Sequence, residues 1–219
     1  MASLVERKRK VVGFSGPVVA AISIFDDKTG LVPTSVDHLT EYVKYLVSIG
    51  VKGFYVHGTT GEGVGLNHEE KKRLTKNWCQ AVKKVAPGSL LVINVSSCCI
   101  NDSQDLAALS ATLPEVDAIA VLPPFYHRPR DVTDLVKYLK AVSSAAPSLP
   151  IMYYNFPEMT NVTFSMVDFV SAAIDQVPNF VGLKFTSKNM AELAHVQRKF
   201  GNEIKVFAGY EEVSLLMFY

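Results

Sequence analysis

The sequence predicts an α/β fold, a (β/α)₈ barrel of the TIM type that stops before its eighth strand. Three observations predict it. Short apolar runs alternate with amphipathic stretches along the whole chain, the pattern of a parallel sheet built from βα units. Most of the runs are continuously apolar, as strands buried on both faces are. The first run is followed by Asp26-Asp27-Lys28-Thr29-Gly30, not by the glycine-rich turn that opens a doubly wound dinucleotide fold. A closed barrel needs eight strands and about 250 residues. This chain has 219 residues and ends in the apolar run Leu216-Met217-Phe218-Tyr219. The expectation is therefore one barrel domain, residues 1–219, incomplete at its C-terminal end.

The seven expected strands are 18–25, 53–57, 90–95, 118–122, 151–154, 181–185 and 205–208. The stretches between them read as helices. Residues 35–49 carry Leu39, Val43, Leu46 and Val47 at helical spacing, and Gly50 stops the run. Residues 69–85 carry Leu74, Trp78, Ala81 and Val82 and end at Pro87-Gly88. Residues 102–113, 132–145, 165–174 and 187–200 complete the set. No linker, low-complexity stretch or longer repeat interrupts the alternation.

Composition excludes several classes. Apolar residues make up 48% and charged residues 20%, with a net charge of +1, as in an ordinary globular protein. Lys8-Arg9-Lys10 is the one dense basic run near the N-terminus. It reads as a solvated end, and no basic face recurs along the chain as nucleic-acid binding requires. No apolar run approaches the roughly 20 residues that span a bilayer. Residues 11–20 are broken by Gly13, Gly16 and Pro17, unlike a secretory leader. Cys79, Cys98 and Cys99 form neither a disulfide framework nor a zinc pattern, so reduced thiols in the cytoplasm are expected. The sequons beginning at Asn94, Asn101 and Asn161 then read as chance matches.

In a barrel, chemistry sits at the carboxyl ends of the strands, and three segments qualify. Gly58-Thr59-Thr60-Gly61-Glu62-Gly63 follows the second strand. Its small residues let a ligand approach the backbone, and its hydroxyls and turned N–H groups suit a carboxylate or phosphate. The bland alternative is a flexible βα loop. Tyr153-Tyr154-Asn155-Phe156-Pro157 ends the fifth strand, where a tyrosine either relays a proton or packs the rim. Gly182-Leu183-Lys184-Phe185-Thr186 is the sixth strand. A buried lysine there becomes a neutral nucleophile, whereas one at the strand end snorkels to water. The five histidines form no cluster, and His57 carries no assigned role.

Taken together, in this order and on successive strands, the three segments resemble the dihydrodipicolinate synthase / N-acetylneuraminate lyase family of class I Schiff-base aldolases. Its motifs Gly-x-Thr-Gly-Glu, Tyr-Asn-x-Pro and Gly-x-Lys are all present. The resemblance implies that Lys184 forms an imine with a 2-keto acid, that Tyr154 moves a proton, and that Thr59 and Thr60 hold the substrate carboxylate. It implies a small-molecule substrate, no metal, no dissociable cofactor, and a homotetramer in the full-length form. The synthase branch has an arginine five residues past the tyrosine to bind a second carboxylate; here that residue is Met159. The sialic acid branch is implied instead, with retro-aldol cleavage of N-acetylneuraminate to N-acetylmannosamine and pyruvate. Thr186, Gly209, Glu211 and Glu212 would then line the pocket for the sugar tail, although Glu211, where that branch has aspartate, and Glu212 also suit the start of a helix. Tyr126, in the aromatic loop after the fourth strand, serves either the site or packing. The alternatives are a related aldolase with another aldehyde partner and a non-catalytic form left open by the missing strand.

Overall fold

The structure is a computed structural model that describes residues 2–26, 30 and 35–210. Seven parallel strands run in sequence order: β1 (Val18–Ala20), β2 (Gly53–Val56), β3 (Leu90–Asn94), β4 (Ala118–Val121), β5 (Ile151–Asn155), β6 (Phe180–Phe185) and β7 (Lys205–Ala208). Each is joined to the next by a helical crossover. These are α2 (Asp37–Ser48), α3 (His68–Val85), α4 (Ile100–Ala111), α5 (Val132–Ser143), the single turn α6 (Pro157–Thr160) with α7 (Met166–Gln176), and α8 (Met190–Phe200). The (β/α) barrel architecture expected from the sequence is present, with seven strands among the described residues. Residues Glu211 and Glu212, and the rest of the segment to Tyr219, lie outside the described residues.

The strands sort their side chains onto two faces, as a period of two requires. Leu91, Ile93, Ile119, Val121, Ile151 and Tyr153 pack outward against the helices. Leu90, Val92, Ala118, Ala120, Met152 and Tyr154 face inward and form a separate core with Tyr55 of β2. The sheet is curled, because Tyr55 reaches across the interior to Tyr154, three strands away, with ring centroids 5.7 Å apart.

Three features differ from the sequence reading. The basic N-terminal run is not a solvated end. It belongs to helix α1 (Leu4–Val12), opened by a capping box in which Ser3 and Glu6 satisfy each other's backbone N–H. Val11 is fully buried against the barrel interior. Arg7, Lys8 and Lys10 donate to the carbonyls of Ser148, Pro178 and Ser89, and Lys10 also pairs with Asp117 at 2.8 Å. All four acceptors lie in the turns that lead into β3, β4, β5 and β6, so α1 closes the amino-terminal end of the barrel. The first strand is shorter than expected. The Ala21 amide still donates to Tyr55, but Ser23 then donates to the carbonyl of Gly61, which draws the chain off the ladder. The turn α6 was not expected either, and it carries Met159 exposed on the rim.

Candidate active site

Parallel register places Tyr154 of β5 directly beside Lys184 of β6. Partnered residues in adjacent parallel strands project to the same face, so both enter the barrel near its carboxyl end. The Lys184 Nζ lies 3.9 Å from the ring centroid of Tyr55 and 4.2 Å from that of Tyr154. It is thus held between two aromatic faces. Burial lowers its pKa to about 8, because the charged form has lost its hydration. A substantial neutral fraction near physiological pH is what a nucleophilic amine needs.

The Tyr154 hydroxyl lies 3.2 Å from Thr59 Oγ1. Burial raises its pKa, and the hydroxyls of Thr59 and Thr186 oppose that rise. Thr186 Oγ1 is buried and has no well-formed hydrogen bond among the described residues. Gly209 packs against it so closely that a Cβ at 209 would fall on Thr186 Oγ1. The phenol therefore begins protonated, with a threonine hydroxyl at hand to pass a proton on.

Thr59 and Thr60 sit exposed at the barrel mouth, on a loop whose base is tied to its neighbours by hydrogen bonds. Gly63 donates its amide to the Gly58 carbonyl, and a Cβ at 63 would collide with the carbonyl of His57. That carbonyl accepts from Asn94 Nδ2 at 3.0 Å. Asn94 Oδ1 accepts from the amide and hydroxyl of Ser96, and Ser96 Oγ accepts from the Leu122 amide. Lys71 Nζ donates to the Ser96 carbonyl, and His57 Nε2 lies 3.0 Å from Thr75 Oγ1. Burial first, then Lys71, pushes the His57 pKa down to about 3, so the imidazole is neutral. His57 is a structural member of this network, which ties the ends of β2, β3 and β4 together beneath the loop. Replacing Asn94 with leucine leaves the His57 carbonyl and Ser96 amide without partners. The expected cost is about 2–4 kcal/mol in urea unfolding; an unchanged midpoint would show that the network does not brace the loop.

The structure thus brings together Lys184, Tyr154, Thr59 and Thr186, with Gly209 behind Thr186 and Thr60 beside Thr59. Glu211 and Glu212 lie outside the described residues. Tyr126 is neither packed nor in this site: it is 80% exposed, edge-on to His127. Tyr55 was not singled out from the sequence, yet its ring is the nearest aromatic face to the amine. The one signal for it in the sequence is its place in the run Phe54-Tyr55-Val56, just before the Gly-Thr-Thr loop; that run alone does not bring it to Lys184. Among the described residues, no group of three or more His, Cys, Asp or Glu side chains is placed to hold a metal ion, and no helix is long and apolar enough to cross a membrane.

Comparison with known proteins agrees with this geometry. The chain is 37% identical over 159 residues to N-acetylneuraminate lyase B of Xenopus laevis, covering 71% of this chain and 58% of that protein. It is 36% identical over 180 residues to N-acetylneuraminate lyase of Gallus gallus, covering 81% and 56%. The chain therefore spans little more than half the length of these relatives. Among solved structures, Proteus mirabilis N-acetylneuraminate lyase superposes with a TM-score of 0.84 at 32% identity, over 91% of this chain and 65% of that one. Dihydrodipicolinate synthase from Aquifex aeolicus gives 0.82 at 26% identity, over 93% and 66%. Residues 13–218 match the dihydrodipicolinate synthetase family, and the chain belongs to that family.

Proposed function

We propose that the chain is a class I aldolase that cleaves N-acetylneuraminate to N-acetylmannosamine and pyruvate through an imine on Lys184. The observation that carries this reading is the buried amine of Lys184, its pKa drawn to about 8, set between two tyrosine rings and beside the Tyr154–Thr59 hydroxyl pair.

The neutral amine attacks the C2 ketone and gives a carbinolamine; loss of water gives the protonated imine. The C4 hydroxyl then loses its proton and the C3–C4 bond breaks. Its electron pair moves into the iminium, leaving an enamine on Lys184 and the free aldehyde. Protonation at C3 regenerates the imine, and water hydrolyses it to pyruvate and the free amine. The water lost on entry is matched by the water consumed on exit. Tyr154, protonated at the outset, serves as a relay: it donates one proton while receiving another through Thr59 or the substrate carboxylate. Oriented hydroxyls and loop N–H groups at Thr59 and Thr60 hold that carboxylate without reorganising during the reaction. The chemistry resides in the lysine and calls for no dissociable cofactor. The sialic acid assignment draws on the names of the relatives and on Met159 where a dicarboxylate-binding arginine would otherwise stand. Thr186 and Gly209, with Glu211 and Glu212, are proposed to line the pocket for the sugar tail. A cytoplasmic, homotetrameric enzyme is part of the same proposal; the three unpaired cysteines fit a reducing compartment.

The test is to incubate the protein with pyruvate, add borohydride and map the adduct by mass spectrometry. A reduced pyruvate adduct on Lys184, with N-acetylmannosamine released from N-acetylneuraminate, is the expected result. An adduct without that aldehyde would point to another 2-keto acid aldolase. No adduct on folded protein would reject the imine mechanism for this chain and leave the non-catalytic alternative.

A further inference from the structure

The Tyr55 side chain stands inside the site with one polar atom unused. It is 5% exposed, its ring faces Lys184 Nζ at 3.9 Å, and its hydroxyl is buried with no hydrogen-bond partner among the described residues. A buried hydroxyl without a partner costs roughly 1–3 kcal/mol, so this one calls for a partner that the described residues do not supply. The ring stands edge-on to Tyr154 across the barrel, and Gly58 packs within 3.0 Å of its Cε1 when given a Cβ. Tyr55 is therefore wedged between the carboxylate-binding loop and the second tyrosine, and has little freedom to turn its hydroxyl elsewhere.

We propose that Tyr55 is a further catalytic residue of this site, its ring face supporting the cationic amine and imine while its hydroxyl donates a hydrogen bond to an oxygen of the bound 2-keto acid. This rests on the aldolase reading above. Two arguments support it. A substrate carbon bonded to Nζ is one bond from an atom that stands 3.9 Å from the Tyr55 ring centroid, so the bound 2-keto acid shares its chamber with that side chain. An aromatic face attracts the planar cation of a protonated imine as it does an ammonium, and both charged states arise at this one nitrogen. Burial, then the neighbouring Tyr154, pushes the Tyr55 pKa well above its ordinary value, so the phenol is a donor throughout the working pH range.

Two variants separate the ring from the hydroxyl. Tyr55→Phe keeps the ring and removes the donor; Tyr55→Leu removes both. For each, the borohydride-trapped pyruvate adduct on Lys184 is followed against pyruvate concentration, and the pH dependence of trace labelling of Lys184 by trinitrobenzenesulfonate is followed without substrate. Thermal melting confirms that each variant is folded. Tyr55→Phe is expected to raise the pyruvate concentration for half-saturation about tenfold and to leave the labelling midpoint in place. Tyr55→Leu is expected to add a fall in that midpoint, since the protonated amine has lost one supporting face. Wild-type half-saturation in Tyr55→Phe would overturn the hydroxyl's role, and an unmoved midpoint in Tyr55→Leu would overturn the ring's. If the wild-type chain itself formed no adduct, the aldolase reading and the hydroxyl's role would fall together; labelling would still decide the role of the ring.

Discussion

Lys184→Met is expected to abolish pyruvate adduct formation, lower turnover by at least about 10³-fold, and yet raise stability at pH 7 by about 2 kcal/mol. The two effects share one cause. Methionine fills nearly the same volume without a charge. The wild-type amine has a pKa of about 8 when folded, against 10.5 for a lysine in water, and a tenfold change in proton affinity corresponds to about 1.4 kcal/mol. The gross cost of burying the charge is thus about 3.5 kcal/mol. The two tyrosine faces offset part of it, at roughly 0.5–1 kcal/mol each. The sign follows from linkage. Between the two pKa values the unfolded chain binds more protons than the folded one, so wild-type stability rises with pH over that window. The advantage of Lys184→Met is therefore full below about pH 8 and fades as the pH approaches 10.5. Urea unfolding of both proteins at pH 7 and at pH 10 tests this. A Lys184→Met protein less stable than wild type at pH 7, or a gain that does not shrink with pH, would show that the lysine is not held as a desolvated amine.

The parts of this site that were legible in the sequence are those set by local order along the chain. Lys184 and Tyr154 lie at the ends of neighbouring strands, and parallel pairing of consecutive βα units makes them neighbours without further information. Gly58 to Gly63 was legible because small residues and hydroxyls at a strand end have few structural uses. Tyr55 was not, because its contact with Lys184 depends on how far the sheet curls, and the two strands are four places apart in the sheet. The role of His57 is not legible in the sequence, because its partners, Asn94, Thr75 and Lys71, come from two other elements. The shortening of β1 follows from side-chain bonding rather than from propensity. Ala21 to Phe25 is apolar enough for a strand, but Ser23 bonds to the loop after β2 instead of extending the ladder. Helix α1 is marked in the sequence by its cap, whereas its run of charges by itself suggests a solvated end. Ser3-Leu4-Val5-Glu6 is a capping box readable from the sequence, and helical spacing from Arg7 through Val11 turns both residues toward the barrel floor.

Removing residues 2–12 is accordingly expected to lower unfolding free energy by about 4–6 kcal/mol, a large share of what holds a typical domain together. Val11 alone accounts for roughly 2 kcal/mol as a fully buried valine. Lys10 donates to both oxygens of Asp117 and to the Ser89 carbonyl; Asp117 is 10% exposed and also accepts from the Leu91 amide. Deleting the lysine leaves that carboxylate buried without its cation, at about 2–3 kcal/mol once partial solvation of Lys10 is allowed for. Arg7 and Lys8 add bonds to the carbonyls of Ser148 and Pro178. The point variant Lys10→Met isolates the ion pair and is expected to show about half of the loss. None of these groups approaches Lys184, which lies at the opposite end of the strands. The folded fraction of the shortened chain is therefore expected to keep the Lys184 labelling midpoint of the intact one. Thermal and urea unfolding measure the first effect and trace labelling the second. A shortened chain of wild-type stability would make α1 a passenger. A shifted midpoint in a chain that is still folded would show that the barrel floor and the amine are coupled, against the separation of a stabilising end from a reactive end that the architecture implies.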